Sequence, residues 1–179
     1  MQAISGKQII QTALMSVAQE MVIAAETAPK GCGENNMVSV ILEEGAIQQI
    51  SQKLNGMAKK YESPVFARDA ENILSAPVMV LLGSKIKSLG LKKCGMCGMA
   101  NCDEKNKHPE IPCVFNTGDL GIAIGSAVSV AMDRRVDNRI MYTVGQAALD
   151  MGILGPEVKI AYGIPLSATS KNPFFDRKT

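Results

Sequence analysis

The chain has 179 residues, of which 46% are hydrophobic and 20% charged, and its formal net charge is +2. This composition excludes a disordered, highly charged chain, and the length predicts one domain over residues 1–179 that buries its core without disulfide bonds. The positive charges are spread along the sequence, and there is no tryptophan for base stacking. We therefore expect no nucleic-acid partner.

The beginning of the sequence lacks the features of a secretory signal. Residues 1–7 contain no basic start with a continuous apolar run, and Gln8 and Gln11 interrupt the hydrophobic positions that follow. The longest uncharged stretch, residues 120–132, is broken by glycines and serines and is shorter than the ~20 apolar residues of a membrane-spanning helix. The sequence predicts a cytoplasmic protein with no membrane partner.

The first half of the chain alternates helical and strand patterns. Ser5 and Gln8 have the spacing of a capping box, and hydrophobic residues from Ile9 onward recur at helical intervals. Ser63 and Pro64 are typical of the start of a helix. In chain order, these patterns predict a helix over residues 7–25, a loop over 27–36, a strand over 37–42, two helices, and a strand over 78–82.

Helical and strand periodicity disappears over residues 84–116, which we interpret as an irregular, cysteine-rich insert. After it, residues 120–131 are small or apolar on nearly every side, which predicts a fully buried helix capped by Asn116 or Thr117. The remaining predicted elements are a helix capped by Asp137 and a last strand over residues 158–162. The patterns together predict an α+β chain with about three strands in a central sheet.

Four of the five cysteines fall in this insert. Cys94, Cys97 and Cys102 form a C-x2-C-x4-C pattern, and Cys113 follows after ten further residues. Iron-sulfur clusters are held by cysteine thiolates, commonly two or three from one short loop and one from farther along the chain. Glycines beside the ligands allow backbone N–H groups to turn toward the sulfurs. We therefore predict that these four cysteines hold an iron-sulfur cluster.

Zinc is the alternative metal, because four cysteines also form tetrahedral zinc sites. Such sites usually combine two close pairs of cysteines, and Cys102 and Cys113 do not form a close pair. Four thiolates suit two-iron and four-iron clusters alike. The spacing resembles that of four-iron modules in corrinoid iron-sulfur proteins and membrane electron-transport subunits, which implies a [4Fe-4S] cluster. We assign no role to His108 or to Cys32.

A second candidate site lies in the loop over residues 27–36. Lys30, Gly31 and Asn36 combine a charge, a permissive backbone and an amide, which together can surround a phosphate or a flavin ring. Any connection between a helix and a strand also needs turn-forming residues of this kind. Composition alone leaves both interpretations open.

The sequence resembles the uncharacterised ferredoxin-domain-containing proteins of anaerobic bacteria and archaea over nearly its full length. This resemblance supports the cluster and implies no substrate. The segments that carry it are Thr27 to Gly31, the cysteine segment, Asp119 to Ala127, Arg135 to Met141 and Gly163 to Ser167.

A more distant resemblance is to the flavin-dependent nitroreductases, through Ala28-Pro29 and the segment Gly163-Ile164-Pro165. It implies a mixed central sheet between helices, a homodimer formed through long helices, and flavin mononucleotide (FMN) bound near the early loop. The chain differs from that family in its first ten residues, where Lys7 is the only basic residue.

Three functions remain as alternatives. The first is an iron-sulfur redox protein that exchanges electrons with a partner protein or a small-molecule substrate. The second is a zinc-stapled binding module without catalysis. The third is an FMN-dependent oxidoreductase of the nitroreductase type in which the cysteine site is structural.

Overall fold

A computed structural model describes residues 3–175, and these form a four-stranded sheet between two layers of helices. The helices are α1 (Gly6–Thr27), α2 (Glu44–Lys60), α3 (Pro64–Asn72), α4 (Cys102–Asn106), α5 (Val114–Asp133) and α6 (Tyr142–Asp150). The strands are β1 (Met37–Glu43), β2 (Val78–Lys85), β3 (Asp137–Asn138) and β4 (Val158–Ser167). Single 3-10 turns cover Gly31–Gly33 and Ile73–Ser75.

The sheet has the strand order β1-β2-β4-β3, and all pairs among the described strands are antiparallel. Val40 lies opposite Leu81, which in turn lies opposite Gly163. The α+β class and the placement of a central sheet between helices are confirmed, although the described pairing is antiparallel rather than mixed. The central strand β2 is buried on both faces, which explains its continuous apolar sequence.

Two hydrophobic cores lie on opposite faces of the sheet because side chains alternate along each strand. On β2, Met79 and Leu81 face the core that α2, α3 and α6 cover, whereas Val80 and Leu82 face the core beneath α1 and α5. Phe174, near the end of the described chain, fills the first core and is 1% exposed. The sheet therefore holds both helical layers, and the insert leaves from the end of β2.

The helix α6 approaches β4 so closely that glycine is required on both elements. A Cβ atom at Gly145 would overlap the carbonyl of Ala161, and one at Gly163 would overlap the side chain of Val144. The two missing side chains let the helix axis sink toward the strand. This contact fixes the position of α6 on the sheet.

The helix α1 begins as predicted. Ser5 is the N-cap, and its hydroxyl and the side chain of Gln8 form the two reciprocal bonds of a capping box. Leu14 is buried, but Ile9 and Ile10 are 56% and 43% exposed, so the first turns of the helix carry an uncovered apolar face.

Three predictions in the second half of the chain are wrong. Asp137 does not cap a helix: it pairs with Ser167 in the short strand β3, and α6 begins five residues later at Tyr142. The helix α5 begins at Val114, with Cys113 as N-cap in place of Asn116 or Thr117. It is also not fully buried, because Gly118 to Met132 include an exposed stripe.

The helix α5 is the one helix in the described residues that is long and apolar enough to cross a membrane by length and composition. A third of its most apolar window, 33%, is buried inside the fold. Leu120, Ala123 and Ala127 contribute that buried side and contact the core beneath α1. The helix therefore serves as a packed layer of this fold.

Candidate functional site

The four predicted ligands all lie between the end of β2 and the beginning of α5. Cys94, Cys97 and Cys102 are partly buried in the insert, and Cys113 is buried at the N-cap of α5. Cys32, the fifth cysteine, is exposed in the loop after α1. All five cysteines are within the described residues and carry free thiols.

Glycines shape the loop that carries the first two of these cysteines. Gly95 and Gly98 have φ values of 105° and 87°, in the left-handed region that other residues rarely adopt. The Gly98 amide donates to the Gly95 carbonyl over 2.9 Å and closes a tight turn around Cys97. Asn101 then caps the short helix α4, accepting from the Glu104 amide over 2.9 Å, so that Cys102 is its first residue.

The buried side chain of Asn116 ties the two ends of the insert together. Its Oδ1 accepts hydrogen bonds from the amides of Cys113, at 3.0 Å, and Lys87, at 3.2 Å. Its Nδ2 donates to the carbonyl of Lys87 over 3.0 Å. Because Lys87 follows β2 and Cys113 precedes α5, this residue closes the insert into a loop whose ends touch.

Ion pairs add to the attachment of the insert on the side of β2. Lys85 Nζ lies 2.7 Å from Glu157 Oε2, and this hydrogen bond and the positive charge hold the pKa of Glu157 below its ordinary value. Lys87 Nζ lies 3.1 Å from Glu34 Oε2 in the loop after α1. Both pairs are solvent-exposed, so each contributes little to stability.

The loop over residues 27–36 packs directly against the insert. The Gly31 amide donates to Asp119 Oδ2 of α5 over 3.0 Å. A Cβ atom at Gly31 would lie 2.5 Å from Leu89 Cδ1 and 2.9 Å from Phe115 Cδ1. The structure thus places this loop against the segment that carries the predicted cysteines, because Leu89 and Phe115 both belong to the insert.

The three predicted flavin-loop residues have different roles in this contact. Lys30 Nζ donates to the carbonyls of Ala25, Glu26 and Ala28 over 2.9, 2.6 and 2.9 Å, so its three donors cap the end of α1. The Asn36 carbonyl accepts from the amide of Lys85, which joins the loop to β2. A role for Lys30 in binding a phosphate requires these capping bonds to break.

The side chains of the predicted ligand set are not assembled around one point. Among residues 3–175, no group of three or more histidine, cysteine, aspartate or glutamate side chains lies at metal-ligand spacing. His108 is 46% exposed and lies 3.8 Å from Glu110. The structure places the four cysteines on one closed segment, and their joint ligation of a metal stays a prediction.

Two residues of this region are missed by sequence reasoning. Asn116 is predicted as a helix cap, yet its side chain joins both ends of the insert. Lys105 follows Cys102 by three residues in a polar part of the insert, yet it is 3% exposed. The sequence carries no signal for either, since both are polar residues in a segment without periodicity.

Comparisons with known proteins place the chain in a family. Residues 110–177 match the model of a family described as "uncharacterized protein containing a ferredoxin domain". Over 165 residues, 37% are identical to an "uncharacterized protein" of Archaeoglobus fulgidus, and the match covers 88% of each chain. The chain belongs to this family. Of the four predicted ligands, only Cys113 lies within the segment matched by the model of this ferredoxin-domain family.

The fold of this chain also matches solved structures. A nitroreductase with bound FMN from Bacteroides fragilis superposes with a TM-score of 0.62 at 11% identity, over 99% of this chain and 84% of that one. A nitroreductase family protein from Clostridium novyi gives 0.57 at 14% identity, over 98% and 79%. At these identities the likeness establishes the fold alone.

Proposed function

We propose that this chain is an iron-sulfur redox protein that holds a [4Fe-4S] cluster on Cys94, Cys97, Cys102 and Cys113. The observation that carries the proposal is the closure of the insert by Asn116. It keeps Cys113, which is distant in sequence, at the base of the same loop that carries the other three thiols. The family's ferredoxin-domain description supports a redox role.

The residues of the insert fit such a cluster chemically. Four thiols match the all-thiolate ligation of iron-sulfur clusters, and Gly95 and Gly98 leave backbone free to approach the sulfurs. Cys113 is the N-cap of the 20-residue helix α5, whose positive N-terminal end favours an anionic ligand. When bound, the cluster would carry single electrons, while the chain would position it and set its surroundings.

The test compares two cysteines of the same chain. Anaerobically prepared protein should be brown and contain iron and acid-labile sulfide, and it should bleach on reduction with dithionite. Cys113→Ser should lose iron and sulfide, because it removes a ligand, whereas Cys32→Ser should retain both. A Cys113→Ser protein with full iron and sulfide contradicts the ligand set. A colourless wild-type protein with one zinc per chain favours the zinc-stapled module instead.

An FMN-dependent oxidoreductase is the second candidate, and the contact of Gly31 with Leu89 and Phe115 favours it. Through that contact a flavin at the loop over residues 27–36 would lie beside the insert. The Bacteroides fragilis nitroreductase contains FMN in its structure. Yellow protein that releases FMN on denaturation supports this candidate. If the protein releases no FMN, the loop over residues 27–36 is a structural connection only.

The proposal includes a homodimer formed through α5. In the described residues, nothing lies within 4 Å of a Cβ atom built at Gly121 or Gly125, and Ile122 is 50% exposed beside them. A second copy offers the same stripe, so a symmetric contact can cover both. Sedimentation should give a dimer for the wild type and a monomer for Gly125→Arg. A monomeric wild-type protein contradicts the proposed homodimer.

The remaining expectations belong to the same proposal. A cytoplasmic location agrees with free thiols at all five cysteines, since reducing compartments keep thiols available for metals. The electron partner is another redox protein or a small-molecule substrate, and neither nucleic acid nor a membrane is part of the proposal. Cell fractionation with an antibody against the chain tests the location.

A further inference from the structure

The strand β1 lies at the edge of the sheet, and β2 is its one neighbouring strand among residues 3–175. The amide of Lys85 donates to the carbonyl of Asn36 over 2.9 Å, and these two residues continue the register of the β1–β2 pair. In an antiparallel pair, hydrogen-bonded positions alternate along the strand. The N–H and C=O groups of Ser39 and Ile41 therefore point away from β2, toward the open side of the sheet.

These outward groups have no partner in the described part of the chain. No hydrogen bond from another segment reaches the backbone of Ser39 or Ile41 there. The outward amide of Met37 differs, since it donates to Asn35 Oδ1 over 3.0 Å. The strand also carries no lysine, proline or bulge of the kind that blocks pairing at a sheet edge. The edge can therefore accept one more strand.

A groove of about 490 Å³ lies between α1 and the end of this strand. Its lining includes Gln11 and Met15 of α1, Glu43 at the end of β1 and Val78 at the start of β2. Glu43 is exposed, and none of the ion pairs among residues 3–175 includes its carboxylate. The groove thus combines apolar contact from Met15 and Val78 with one negative charge.

The open edge and the groove meet at Glu43. Met37 and Ile41 contact the core beneath α1, so Glu43, two residues after Ile41, lies on the same face of the sheet. Side chains directly opposite each other on neighbouring strands share a face. A residue opposite Glu43 on an added strand would therefore point to the side of the groove. A long basic side chain suits that position, because its methylene groups can pack on Met15 and Val78 while its charge reaches Glu43.

We propose that the edge of β1 binds an extended, basic segment of a partner protein. The segment pairs antiparallel with Ser39 and Ile41 and places a lysine or arginine opposite Glu43. Backbone hydrogen bonds supply the affinity, and the side chains at alternate positions supply the specificity. A segment with glutamate in place of the basic residue is rejected, because two carboxylates would then face each other. The proposal goes beyond the redox function and does not depend on the cysteines.

The test is fluorescence anisotropy with the fluorescein-labelled peptide Thr-Arg-Thr-Val-Thr-Val-Thr, whose arginine comes opposite Glu43 in an antiparallel pair. The whole chain is used without added iron, so the result is independent of metal content. The peptide should bind the wild type about ten-fold or more tighter than the same peptide with glutamate for arginine. Glu43→Gln should weaken binding of the arginine peptide about five-fold. Glu44→Gln, which changes the neighbouring exposed glutamate outside the groove lining, should leave binding unchanged.

Ser39→Pro tests the backbone part, because proline removes an outward N–H that takes no part in the β1–β2 ladder. It should abolish peptide binding while the far-UV circular dichroism stays that of the wild type. If this variant does not fold, the comparison of Glu43→Gln with Glu44→Gln decides alone.

Three results overturn the proposal. The first is a wild-type protein that binds the arginine peptide no better than the glutamate peptide. The second is a folded Ser39→Pro protein that binds like the wild type. The third is a homodimer that dissociates in Ser39→Pro, because a second copy of the chain then occupies the edge. None of these results bears on iron content, so the proposed function is tested separately.

Discussion

The closure of the insert by Asn116 leads to a quantitative prediction for Asn116→Ala. The substitution removes three hydrogen bonds, of 3.0, 3.2 and 3.0 Å, from a side chain that is 2% exposed. At about 1 kcal/mol per bond the loss is about 3 kcal/mol. Alanine at this position of α5 has a higher helix propensity, which recovers about 0.5 kcal/mol. The free energy of unfolding should therefore fall by about 2.5 kcal/mol.

The assay is urea unfolding of the chain without added iron, followed by far-UV circular dichroism. The control is Asn106→Ala, which removes one exposed hydrogen bond, from Ser88 Oγ at 2.7 Å, within the same insert. It should cost less than about 1 kcal/mol. Hydrogen exchange at the amides of Lys87 and Cys113 should also accelerate in Asn116→Ala. Equal urea midpoints for the two variants would refute the closure of the insert through this residue.

Further predictions concern the helix-sheet core. Gly145→Ala should lower the free energy of unfolding by about 3 kcal/mol or more, because its Cβ meets the Ala161 carbonyl. Gly56→Ala, in an open part of α2, should raise the free energy of unfolding by about 0.8 kcal/mol. Similar urea midpoints for Gly145→Ala and Gly56→Ala contradict the close packing of α6 on β4. Thr143→Val removes the 2.6 Å bond to the buried Asp69 carboxylate and should cost about 2 kcal/mol in the same assay. A Thr143→Val protein as stable as the wild type contradicts a stabilising hydrogen bond between Thr143 and Asp69.

The parts of the fold with strong local signals are predictable from the sequence. The capping box of Ser5 and Gln8 locates the start of α1, because two reciprocal side-chain bonds require that spacing. The uninterrupted apolar run of β2 predicts a buried strand, and Pro64 marks the first residue of α3. In each case the local chemistry and the final structure agree.

The parts that depend on tertiary contacts are not predictable in the same way. Asp137 resembles a helix cap locally, but its pairing with Ser167 across 30 residues places it in a strand. The sequence predicts that the exposed stripe of α5 is buried, because glycine and isoleucine occur both in a core and on an uncovered apolar face. The burial of Lys105 depends on tertiary packing around the insert, which no spacing in the sequence specifies.

The ends of the insert meet where Lys87 contacts Asn116. The segment between these two residues is therefore not needed to connect β2 with α5. The strand β2 and the helix α5 would keep their relative positions if a short turn joined them there, because the path between them is already closed. Lengthening a connection adds only slowly to the entropy of closing it, by about 0.6 kcal/mol for each doubling of its length. Segments of other lengths can therefore connect β2 to α5 at this point while the sheet and both helical layers keep their positions.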